Sequence, residues 1–121
     1  MAATVDYPRE REHLSGLLEQ LTDELPGPMS AFGQLYEAVV TEEALSTRVK
    51  ELIAVGIAIA ARCDGCIAYH VHGALTAGAT RQEVLEVVGV AVLMGGGPAV
   101  MYGARVLEAV DQFTAEARAS G

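Results

Sequence analysis

The sequence predicts an all-α protein, and three observations carry that prediction. Apolar residues recur at three- and four-residue intervals along most of the chain. Helix stop and start signals divide it at short intervals. No segment sustains the two-residue alternation of a half-buried strand. With 121 residues and a 51% hydrophobic composition, the chain is long enough for one buried core. The expected architecture is a single compact antiparallel helical domain of about six helices over residues 1–121.

Residues 1–7 are expected to fray. From Pro8 a first helix carries Leu14, Leu17, Leu18, Leu21 and Leu25 in one stripe, and Pro26-Gly27-Pro28 ends it. Phe32, Leu35, Tyr36, Val39 and Val40 repeat the same period in a second helix, with Pro28 suited to its first turn. Thr41-Glu42-Glu43 is a polar break or the start of a short helical turn. Ser46 or Thr47 can cap a third helix over roughly 47–61, because a side-chain oxygen there satisfies a free amide of the first turn. Its stretch Leu52 to Ala61 is apolar without interruption, which predicts burial on all sides. A fourth helix is expected from about Asp64 to Ala77, closed by Gly78. Thr80-Arg81-Gln82-Glu83 has the form of a capping box and opens a fifth helix through Met94. After the glycines Pro98 opens a sixth, with Val100, Ala104, Leu107 and Val110 on its apolar side. Gly95-Gly96-Gly97-Pro98 is not a phosphate loop, since no Lys-Ser/Thr follows it. The strongly apolar Leu52–Ala61 and Val87–Met94 point to an oligomer interface.

Chemistry concentrates between Glu51 and His70. Cys63-Asp64-Gly65-Cys66 holds both cysteines of the chain. Two sulfurs at this spacing can close a disulfide or share a metal ion. They fall near the start of a helix, where free amides and the macrodipole favour a thiolate. His70 follows Cys66 by four residues, one turn along the same face, where an imidazole can take or give a proton. Glu51 lies twelve residues before Cys63 and would have to lean in from the facing wall of a helical hairpin. On its own, Glu51 reads as a first-turn carboxylate favoured by the dipole. A zinc site wants four ligands, and beyond the cysteine pair the chain offers His70, His72 and His13. His72 is turned about 200° from His70 and is expected at a surface or subunit contact. His13 is expected in solvent, and Tyr69 either lines a pocket or packs.

The formal net charge is −8, with no basic cluster. That argues against nucleic acid and against an anionic membrane surface. No apolar run approaches the ~20 residues of a membrane span. The N-terminal MAATVDYPRERE lacks the pattern of a signal peptide. A reducing, cytoplasmic setting is therefore expected, where a C-x-x-C is catalytic or metal-binding rather than a staple.

Glu51, the step of twelve to Cys63, the C-x-x-C and His70 together resemble the signature of the alkyl hydroperoxidase AhpD family, which belongs with the carboxymuconolactone decarboxylases. The resemblance extends through Ala68-Tyr69-His70, Ala77-Gly78-Ala79-Thr80 and Glu83-Val84-Leu85-Glu86. It covers about Lys50 to Phe113 and is weak over residues 1–30. It implies an all-helical fold that assembles as trimers or hexamers, and reduction of a small hydroperoxide by thiols without a cofactor or metal. It also implies roles: Cys66 attacks the peroxide and Cys63 resolves the product as a disulfide. Glu51 and His70 carry protons, and an external dithiol reductant resets the pair. The sequence departs from the best-known members at Gly65, where they carry a relay histidine, and in its brief N-terminal part. Two other readings compete. One is a cofactor-free decarboxylase using His70 and Glu51 as acid and base. The other is a non-catalytic oligomeric redox module.

Overall fold

Among the described residues six helices follow in the expected order: α1 (Tyr7–Glu24), α2 (Pro26–Val40), α3 (Thr47–Ala61), α4 (Asp64–Thr76), α5 (Arg81–Gly95) and α6 (Gly97–Ser120). The computed structural model describes residues 4–120, and no strand occurs among them. The all-α expectation therefore holds. Among the described residues no helix is long and apolar enough to cross a membrane.

Local chemistry sets most of the boundaries. Ser46 caps α3 by accepting the Val49 amide, and Thr80 and Glu83 make the reciprocal bonds of a capping box at the start of α5. Thr80→Ala removes one of those bonds and is expected to cost about 1 kcal/mol. A lower urea midpoint at unchanged slope would register it. At the end of α3, Arg62 adopts a left-handed conformation. Its amide bonds Ile59 O, and the Cys63 amide bonds Ala58 O, the paired closure of a Schellman motif. The same closure ends α4, where Gly78 is left-handed, its amide bonds Leu75 O, and the Ala79 amide bonds Ala74 O. Thr41-Glu42-Glu43 forms no helical turn.

The α3–α4 hairpin is the centre of the molecule. Val55, Ala58 and Ile59 of α3 pack with Ile67, Ala68, Val71 and Ala74 of α4. Val84 of α5 and Val106, Ala109, Val110 and Phe113 of α6 complete the core.

Two expectations need correction. The segment before Pro8 is not frayed where it is described. Asp6 caps α1, and Tyr7 is fully buried. Gln112 of α6 accepts the Tyr7 amide at 2.8 Å and donates to Val5 O at 2.7 Å. Residues 1–3 of that expectation lie outside the described residues. Second, Leu52–Ala61 is not buried all round: Ile57 is 63% exposed, and Ile53 is exposed with it. They line an apolar groove of about 560 Å³ between α3 and α5, shared with Val90 and Met94. Beyond these, the second half of α1 and all of α2 bury no side chain. Leu17, Leu21, Phe32, Leu35 and Val39 stand in solvent. The periodicity that predicts these helices is real, but among the described residues most of the apolar side chains it marks there are exposed.

Candidate functional site

The turn between α3 and α4 places the sulfurs. Because Arg62 closes α3 in a left-handed conformation, Cys63 follows at once in extended backbone and caps α4. Its sulfur accepts the Cys66 amide at 3.1 Å. A helix N-terminus thus points a free amide at Cys63 Sγ, an arrangement that stabilises a thiolate there. Cys63 and Cys66 are joined as a disulfide across a Cα–Cα separation of 5.2 Å. Cys66 packs on the core from its edge.

Glu51 reaches the site from α3. It is 2% exposed, the one buried charged side chain among the described residues. A buried carboxylate needs partners for both oxygens, and it has them. Tyr36 O–H donates to Oε1 at 2.7 Å, and His70 Nδ1 bonds Oε2 at 3.2 Å. Burial alone would push the Glu51 pKa up. The hydrogen bonds from His70 and Tyr36 and the attraction to a charged imidazole outweigh it, so the carboxyl sits below its ordinary value. An ionised Glu51 fixes the proton on Nδ1 and leaves Nε2 as the ring atom free for proton transfer. Burial, then the bond to Glu51 and its negative charge, push Tyr36 up to about 12, so the phenol remains a donor.

Because Glu51 is more acidic in the fold than in the unfolded chain, its contribution to stability is complete above its ordinary 4.5. It is lost as pH falls through the lowered folded value. Melting temperature is expected to drop on acidification below that point, and Glu51→Gln is expected to flatten the drop. An unchanged slope in the variant would contradict the assignment.

Four of the residues singled out by sequence come together. Glu51 and His70 are hydrogen-bonded, Cys63 and Cys66 are bonded, and Cys66 and His70 lie one turn apart on α4. His72 is partly buried against the ring of Phe113, with centroids 5.2 Å apart, and takes no part in the Glu51–His70 contact. Burial, then the nearby Arg11, hold its pKa below the ordinary value, partly opposed by Glu116. Tyr69 turns toward α1, where its hydroxyl meets Ser15 Oγ at 2.5 Å. His13 is exposed on α1. Among the described residues no three His, Cys, Asp or Glu side chains converge in a metal-binding arrangement.

Two residues of the site escape the sequence reading. Tyr36 occupies a place in the α2 apolar repeat that reads as core, yet it binds Glu51 and faces the His70 ring at 6.1 Å. Gly73 lies one turn after His70, on the face of α4 toward Glu51, and a Cβ there would collide with the Glu51 carboxylate. The run Cys66, His70, Gly73 at i, i+4 and i+7 is the signal that could have found it. Gly65 faces α1, and a Cβ there would come within 2.8 Å of Leu14 Cδ1, the movable end of a leucine. Leu14 of α1 thus lies over the position between Asp64 and Cys66.

Comparison with known proteins places this arrangement. Residues 26–109 match the model of the carboxymuconolactone decarboxylase family. A carboxymuconolactone decarboxylase family protein from Legionella pneumophila, solved in its apo form, superposes with a TM-score of 0.86 at 39% identity, covering 88% of this chain and 96% of that one. An uncharacterized protein of Cupriavidus necator is 40% identical over 90 residues, 74% of this chain and 80% of its own length. A family protein from Thermotoga maritima, for which a part in the antioxidative response has been suggested, shares the fold at a TM-score of 0.82 and 22% identity, over 92% and 95% of the two chains.

Proposed function

Because this chain belongs to the carboxymuconolactone decarboxylase family, we propose that it is a thiol-dependent peroxidase of the AhpD-like kind, reducing small hydroperoxides through Cys66 and Cys63. The observation that carries the reading is the Glu51–His70 hydrogen bond one helical turn from a Cys63–Cys66 pair able to close as a disulfide. A redox pair and a proton carrier on adjacent turns are what a peroxide needs, because cleaving its O–O bond demands an electron pair and a proton for the leaving alkoxide.

His70 Nε2 accepts the Cys66 proton, and Glu51 stabilises the resulting imidazolium. The Cys66 thiolate attacks one peroxide oxygen. The S–O bond forms, the O–O bond breaks, and the departing alkoxide takes the proton from His70 to leave as the alcohol. Cys66 is now a sulfenic acid. Cys63, whose thiolate the α4 amide favours, attacks the Cys66 sulfur. The S–S bond forms, the S–O bond breaks, and hydroxide leaves as water with one more proton. An external dithiol then reduces the disulfide by exchange and is itself oxidised. The test is peroxide consumption by the protein with a dithiol in excess. Multiple turnovers are expected. A single stoichiometric round would identify a redox module instead.

A decarboxylase using Glu51 and His70 alone is the weaker reading. An acidic lactone brings negative charge toward an already ionised Glu51, whose described partners, Tyr36 and His70, include no permanent cation. Lactone turnover that survives Cys63→Ser/Cys66→Ser would revive it.

The exposed stripes of α1 and α2 and the α3–α5 groove support assembly as a trimer or hexamer. Apolar surface on this scale is expected to be covered by further copies. Light scattering is expected to give a mass of three or six chains, and a monomer would contradict the assembly.

A further inference from the structure

Asp64 sits between the two cysteines in sequence and opens α4. An acid in a first helical turn is ordinary, but this one is bound from two other helices. Tyr7 O–H of α1 donates to Oδ1 at 2.8 Å, and Arg105 Nη1 of α6 approaches Oδ2 at 3.2 Å and Oδ1 at 3.4 Å. Arg105 is itself seated over the Tyr102 ring, 5.2 Å from its centroid. Tyr7 is fixed by complete burial and by Gln112. The carboxylate inside the C-x-x-C is thus anchored by a phenol and paired with a guanidinium, neither of which the peroxide chemistry uses.

We propose that Asp64 is a positioning residue that, with Arg105 masking its charge, sets the dithiol–disulfide balance of Cys63 and Cys66. The inference rests on the reading of that pair as redox-active. The disulfide is neutral, whereas the reduced pair carries a thiolate at the start of α4. A charge in the same turn therefore acts on the reduced form alone. The other ionisable groups near this turn are Arg62 before it, His70 on α4, Glu51 on α3 and Tyr7 on α1. Asp64 is the acid within the turn, and Arg105 is the cation paired with it.

The test equilibrates the full-length protein with reduced and oxidised dithiothreitol at pH 8.5, near the ordinary thiol value, where the thiolate is populated. The protein disulfide breaks as the dithiothreitol ring disulfide forms, and two electrons and two protons pass between them. Asp64→Asn keeps an acceptor for Tyr7, removes the negative charge and leaves Arg105 to favour the thiolate. The equilibrium is expected to move toward the dithiol by roughly threefold, the effect of one unit charge across ~8 Å of largely solvated protein. Arg105→Met unmasks the carboxylate and is expected to move it toward the disulfide by a similar factor. Both residues are partly exposed, so neither change opens the core. The double variant is expected to return near the wild-type value. A purely structural role for the ion pair would shift both single variants in the same direction, and that result, or no shift in either, overturns the proposal. A wild-type pair that never exchanges with dithiothreitol would instead remove the peroxidase reading on which it stands.

Discussion

Cys66→Ser is expected to abolish dithiol-supported hydroperoxide consumption, leaving the background rate of the reductant. A serine hydroxyl at this position is far weaker as a nucleophile, because His70 can pull a proton from a thiol but cannot make an alkoxide abundant near neutral pH. Cys63→Ser is expected to fail differently. Cys66 still attacks and forms a sulfenic acid, but no neighbouring sulfur displaces the hydroxide. One rapid round should be followed by a stall, with the sulfenic acid trapped by dimedone. The two variants therefore separate the roles of the sulfurs. The local geometry alone would favour a different assignment, since the α4 amide is aimed at Cys63 Sγ. If Cys63→Ser loses the first round and Cys66→Ser keeps it, the attacking thiol is Cys63. The proton relay through His70 would then have to act across the turn.

Gly73→Ala is the second change with a large expected effect, and it touches neither sulfur. The added methyl would fall onto the Glu51 carboxylate and come within 2.9 Å of its Cδ. Neither group can yield cheaply, because Gly73 is inside α4 and Glu51 is buried between α3 and α4. Displacing the carboxylate breaks its bonds from Tyr36 and His70 and leaves a charge in the core without donors. Overpacking and lost hydrogen bonds to a buried charge together predict a loss of about 2–4 kcal/mol. Turnover is expected to fall about 100-fold as His70 loses its orienting partner. Combining it with Glu51→Asp shortens the carboxylate side chain and is expected to restore part of both losses. If Gly73→Ala melts like wild type with full activity, the Glu51–His70 contact is not what the site depends on.

The helices of the second half were legible because their ends are written locally. Ser46, Gly78 and the Thr80–Glu83 box act on groups within a few residues of themselves, whereas the left-handed Arg62 that closes α3 has no such sequence mark. Tyr7 was not legible, because Asp64 and Gln112, which fix it, are 57 and 105 residues away. Nor was the exposure of α1, α2 and Ile57. Periodicity reports that a helix has an apolar face, not whether this chain or another copy covers it. The cysteine pair and His70 declared themselves by spacing, whereas Glu51 did so only through the family signature. Its buried position with two donors gives that signature a physical reason. Tyr36 carries its role in three dimensions alone, and Gly73 shows in the sequence only as the i+7 neighbour of Cys66, on the helix face shared with His70.

Intact mass after a single oxidation tests the central claim most directly. Fully reduced protein is mixed with one equivalent of a small hydroperoxide, quenched and weighed. The account predicts the loss of two hydrogens, no free thiol, and one alcohol formed for each Cys63–Cys66 disulfide. Added oxygen on a chain that still holds both cysteines apart, or unchanged thiols beside unconsumed peroxide, would contradict it.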